Sequence, residues 1–147
     1  LNTADWLPVP PAALQQRLMA LDGGRGTLEM YRPLPNILYT RARGMCATEL
    51  AHEWVRCTDG IWSSVTKLIV FNDWQLMTNY ESEARALLTG WVVAHRQQFH
   101  AAWFSSGSRL VSMGVSVASV ATSMLGVPMH APADRDAFLL QLRAALG

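Results

Sequence analysis

The chain has 147 residues, and 12 Lys+Arg against 11 Asp+Glu leave a formal charge of +1, so no strong net field draws it to nucleic acid or to an anionic membrane. Its length suits one domain that buries its own core without disulfide staples. Charged residues make up 16% of the chain and apolar residues 50%; an average composition carries about 25% charge, so the shortage points to a sticky face, an oligomer interface or an apolar pocket.

Residues 1–11 hold Pro8, Pro10 and Pro11 and read as an extended lead-in, and the spacing of Leu14, Leu18 and Leu21 predicts a short helix over 12–21. Residues 1–25 are therefore expected to form an N-terminal extension and residues 26–147 an α/β domain. Gly23, Gly24 and Gly26 punctuate the chain before two β-prone runs, 27–32 and 37–43, which are separated by Pro33-Leu34-Pro35-Asn36 and read as a hairpin. Leu28 and Met30 alternate with Thr27, Glu29 and Tyr31, so each strand has two unlike faces. Arg25, Arg32, Arg41 and Arg43 cluster around this hairpin and read as solvated charges that blunt a sheet edge.

From Ala47 the period changes. Leu50, Trp54 and Cys57 share a stripe, with Ala51, Val55 and Thr58 beside it, and predict an amphipathic helix ending near Asp59-Gly60. Residues 67–71 form a nearly continuous apolar run, expected at the centre of a sheet covered on both faces. A helix is predicted over 81–99 from Ala84, Leu87, Leu88, Trp91, Val92, His95 and Phe99, and a short strand over 101–104. Residues 110–125 alternate as a strand would, yet Leu110, Met113, Val117, Val120 and Met124 also make a helical stripe, and the length decides for helix. A last short strand is expected over 127–131, and Asp134 is the expected N-cap of a closing helix with Phe138, Leu142 and Ala145 on one face. The order ββαβαβαβα predicts a mixed sheet covered by helices, with right-handed crossovers between parallel strands.

Several phrases carry a resemblance to STAS domains of the SpoIIAA-like group over residues 26–146. They are Phe71-Asn72-Asp73-Trp74 followed by Tyr80, then Leu88-Thr89-Gly90-Trp91, the stretch Ser105-Ser106-Gly107-Ser108-Arg109-Leu110-Val111-Ser112-Met113-Gly114-Val115, and Arg135-Asp136-Ala137-Phe138. The resemblance implies a non-catalytic, regulatory or signalling module that binds a protein partner or itself. Some STAS proteins are switched by phosphorylation in an Asp-Ser-Ser-Gly phrase after the central strand. Here the matching phrase is Asp73-Trp74-Gln75-Leu76, which keeps the Asp and lacks the phosphorylatable Ser. A related architecture in CRAL-TRIO lipid-transfer proteins gives the alternative reading, a carrier of a small apolar or lipid-like ligand.

Asp73, at the expected carboxyl end of the central strand, with Trp74 and Tyr80, forms the candidate partner-binding set. Ser105, Ser106, Gly107, Ser108 and Arg109 make a polar turn at an expected helix N-terminus, where free N–H groups favour a phosphate or carboxylate, although a capping turn has the same composition. Glu49 and His52 have the i, i+3 spacing of di-iron helices without the second copy such sites need, and His95 and His100 diverge around a helix, so no metal or other cofactor is expected. GxSxG, Walker and GxGxxG phrases do not occur, and the chain reads as a non-enzyme. The run over 110–133 is broken by Gly126, Pro128 and Pro132 and is a poor membrane span. Cys46 and Cys57 lack a CxxC pattern and read as free thiols, which together with the lack of a recognisable signal segment sets the expectation of a cytoplasmic protein. The opening Leu1 suggests processing or a piece of a longer protein.

Overall fold

The structure, a computed structural model, describes residues 6–147. A short 3-10 turn over Pro11–Leu14 leads into β1 (Arg17–Asp22), β2 (Gly26–Leu34), β3 (Ile37–Cys46) and α1 (Thr48–Thr58). Then follow β4 (Leu68–Tyr80), α2 (Ser82–Ala94), β5 (Phe99–Ser106), α3 (Arg109–Ser123), β6 (Met129–His130) and α4 (Arg135–Leu146). All six strands join one sheet in the order β1-β2-β3-β4-β5-β6, antiparallel from β1 to β3 and parallel from β3 to β6. The expected mixed sheet covered by helices is what forms.

The period of two along the strands builds two cores on opposite faces of the sheet. Leu38, Val70 and Ala102 point into a core closed by α1, α2 and α3. Tyr39 and Phe71, the next residues in each strand, point the other way onto Phe138 and Leu142 of α4 and onto Ala13. The apolar run read as central is therefore flanked by β3 and β5 and covered on both sides, as parallel crossovers require. Between α1 and α2 the buried Trp91 indole donates to Thr58 Oγ1 at 2.8 Å, and Trp54 packs edge-on to Trp91 with ring centroids 5.5 Å apart. Asp134 caps α4 as expected, accepting from the Ala137 N–H at 2.8 Å.

Three expectations are corrected. The helix predicted over 12–21 is a 3-10 turn followed by strand β1: Gln16 takes a positive φ of 56°, which breaks a helical path, and the open edge of β2 offers a ladder to pair with. The central strand does not end at Phe71 but runs on to Tyr80, so the loop expected after Phe71 is ladder. Asn72 and Asp73, poor strand formers, are tolerated because their side chains are bonded: Asn72 accepts from Thr40 Oγ1 at 3.0 Å and Asp73 from Tyr39 Oη at 2.8 Å. The helix predicted over 81–99 stops at Ala94, and Phe99 opens β5. The helix expected over 110–125 forms as α3, with the side carrying Val111, Gly114, Val115 and Thr122 toward the sheet and the Leu110–Met124 stripe facing outward.

Candidate functional site

Asp73 lies in a polar row that crosses the middle strands on the α4 side. Glu29 pairs with Arg41 across β2 and β3, and Arg41 is in register with Asp73 on β4. Arg41 and Glu29 form an ion pair at 2.7 Å with both side chains buried, and Tyr31 Oη donates to Glu29 at 2.6 Å. Burial and the Glu29 carboxylate raise the Tyr31 pKa above the ordinary phenol value. Asp73 accepts from Tyr39 Oη and is ion-paired with Arg135 of α4, whose second nitrogen donates to the Pro8 carbonyl at 3.0 Å. Burial first, and then the Asp73 charge, push the Tyr39 hydroxyl far above the phenol range, so it stays a donor. The row alternates acid, base, acid, base, and each charge meets an opposite one, so it fastens α4 and the lead-in to the sheet. Sequence reasoning singled out Asp73 but assigned Arg41 to solvent and passed over Glu29. The available signal was their opposite charge at facing positions of the hairpin.

The hydroxyls of the Ser105–Arg109 turn are engaged within the fold. Ser105 donates to Gln75 Oε1 at 2.8 Å, and Ser106 and Ser112 hydroxyls bond at 2.7 Å. Ser108 is the N-cap of α3, accepting from the Val111 N–H at 3.4 Å and donating to the Thr78 carbonyl at 3.3 Å. A Cβ on Gly107 would stand 2.7 Å from the Gln75 backbone oxygen, so the turn packs directly on β4. The Arg109 residue is exposed.

Trp74 and Tyr80 stand on the other face. Trp74 packs edge-on to Phe104 at 5.1 Å and to Trp54 at 6.3 Å. Tyr80, the last residue of β4, lies under α3 where Gly114 leaves room: a Cβ there would come within 2.7 Å of the phenol ring. Both residues line a cavity of about 80 Å³ between the sheet and helices α2 and α3. Its lining is mostly aromatic and aliphatic, with Phe99, Phe104, Val115 and Met129 among the walls and Arg85 as the charged residue.

The outer face of α3 is the main apolar surface left open. Val117 is 58% exposed, Val120 67% and Met124 83%, with Leu110 and Met113 continuing the stripe. Its spacing of 3, 4, 3 and 4 residues is the heptad pattern of a helix seam. Among the described residues no group of His, Cys, Asp or Glu could hold a metal ion, and no helix is long and apolar enough to cross a membrane. Cys46 and Cys57 are unpaired; burial, ahead of Glu81 and Glu49, pushes the Cys46 thiol up to about 11, so it is not a poised nucleophile.

Comparison with known proteins finds no matching family model and no matching curated protein. Among solved structures, the chain is similar to an uncharacterised DUF3478-family protein with a SpoIIAA-like fold from Shewanella loihica PV-4. The TM-score is 0.55, and the match covers 80% of this chain and 93% of that chain. The fold is SpoIIAA-like. At 15% identity the likeness carries the SpoIIAA-like architecture and no activity. Within this SpoIIAA-like sheet, the Asp73 carboxylate sits in the middle of a long β4 instead of at a strand exit, and Trp74 and Tyr80 are cavity walls.

Proposed function

We propose that the protein is a non-catalytic STAS-like module, regulatory or scaffolding in role, that acts by binding protein through the outer stripe of α3, and that the occupant of that stripe is a second copy of the chain. The observation that carries this reading is the stripe itself, from Leu110 to Met124 on a helix whose opposite face is already packed. Its five side chains are 45% to 83% exposed and contiguous along one helix face, the kind of apolar patch that marks an interaction site. No charged residue falls between Arg109 and Asp134, and Ser116, Ala121 and Ser123 flank the seam, so a second neutral helix can approach closely without stranding a charge. The polar row around Asp73 supports the non-catalytic half of the reading, because its acids and bases are all paired and none is left to serve as a general base. The two unpaired cysteines fit a reducing compartment, and the cytoplasm is where we place the protein.

Sedimentation equilibrium of the wild type and of Val117→Glu tests it. The wild type is expected to associate to twice 16.3 kDa with a micromolar constant, and V117E, whose change lies on an exposed position, to remain monomeric with unchanged circular dichroism. A wild type that stays monomeric at hundreds of micromolar overturns the self-association. If it instead retains a foreign protein that V117E releases, the stripe is a hetero-interface and the second-copy assignment fails.

A further inference from the structure

The cavity between the sheet and α2/α3 is independent of the outer stripe, and its wall has a one-sided chemistry. Four buried indole N–H groups among the described residues have no acceptor, those of Trp6, Trp54, Trp62 and Trp74, and two of the four, Trp54 and Trp74, line this cavity. Trp54 is 3% exposed, so its N–H cannot turn to bulk water. A buried donor left unmade is costly, and its counterpart Trp91, in the same aromatic cluster, does find Thr58. The Arg85 guanidinium lies 5.9 Å from the centre of the Tyr80 ring and takes part in none of the ion pairs among the described residues. The lining contains no Asp or Glu. The lining also holds Tyr80, Thr89, Asn72, whose Oδ1 already accepts from Thr40, and Thr122, which donates to the Ala118 carbonyl; unpaired indole donors and one positive charge in a mostly apolar enclosure call for a ligand that is hydrocarbon in body and brings its own acceptor oxygens.

We infer that this cavity binds a small apolar carboxylic acid as its anion. The hydrocarbon packs among Trp54, Trp74, Phe99 and Phe104. The carboxylate is held by Arg85 and the unpaired indole N–H groups, through charge-assisted hydrogen bonds that no neutral or cationic analogue can match. A cavity of about 80 Å³ takes about five to eight water-sized probes at ~10–15 Å³ each, which suits a short-chain acid on the scale of butyrate to hexanoate. The site lies over the face of the sheet, along β4 from Val70 to Tyr80 and under α2 and α3.

The test is titration of the 15N-labelled protein with sodium hexanoate and, separately, hexylammonium chloride, reading the indole N–H resonances. Hexanoate is expected to shift the Trp54 and Trp74 signals saturably, with Trp103, packed on the α4 side of the sheet, far less affected, and hexylammonium to bind at least tenfold more weakly. Arg85→Gln, at a half-exposed position that leaves folding intact, is expected to remove that tenfold preference. Ala118→Phe, which fills the cavity from α3, is expected to abolish the shifts. No saturable shift with hexanoate, equal affinity for the two probes, or an unchanged preference in R85Q each overturns the assignment.

Discussion

At the scale of single residues, the polar row shows how far local chemistry constrains this protein. Arg135 is partly buried and its charge is balanced by Asp73. Replacing Asp73 by Asn keeps the shape but leaves a guanidinium facing a neutral amide, and also alters the acceptor that Tyr39 uses. Removing one partner of a buried pair costs about 3–5 kcal/mol. Urea unfolding of Asp73→Asn is therefore expected to show a midpoint loss of that order, whereas a change under 1 kcal/mol would place Asp73 outside the fold's support. Asp73 was legible in the sequence as a residue of note, but its role was not. A carboxylate after an apolar run looks the same whether it faces a ligand or an arginine 62 positions later, and nothing local distinguishes the two. Arg41 was read as solvated for the same reason: its partner Glu29 lies on the neighbouring strand.

At the scale of elements, legibility followed the strength of local signals. The hairpin, the central strand, α1 and α4 were readable because their period, turn residues and caps agree with their final environment. Strand β1 was not, because Leu14, Leu18 and Leu21 mimic a helical stripe, and pairing with the open edge of β2 outweighs a weak propensity. In α3 the pattern gave the helix but not its orientation. The sheet takes its small-residue side, since Gly114 must admit Tyr80. Close approach also governs the start of the hairpin. Gly26 is in register with Gly44, which has a positive φ of 74°, and a Cβ on Gly26 would stand 2.0 Å from the Met45 carbonyl oxygen. That neighbour is backbone and cannot swing away. Gly26→Ala is thus expected to cost about 3 kcal/mol, the upper end of overpacking, with hydrogen exchange accelerated first in β2 and β3. Wild-type protection of that hairpin in the variant would show that the turn relaxes more easily than this packing implies.

At the scale of the whole molecule, two cores on opposite faces of one sheet consume nearly all the apolar sequence, and what they leave over is concentrated on α3. The charge deficit visible in the composition is explained by that division. Part of it pays for a double-sided sheet, and the rest is an uncharged helix with a heptad seam. Fold and seam follow from the chain, but the identity of the seam's occupant depends on a surface outside it, which is why the composition could announce a sticky face without saying what meets it. Val117 is the middle of the five seam positions, so either a parallel or an antiparallel pairing of two α3 helices brings it against its own copy. Mild oxidation of Val117→Cys in a Cys57→Ser background measures this directly, with Leu140→Cys on α4, 63% exposed in the native chain, as the reference. The account predicts rapid, near-complete disulfide dimers at position 117 and slow, partial ones at 140. Equal rates at the two positions, or no dimer through 117, would contradict it.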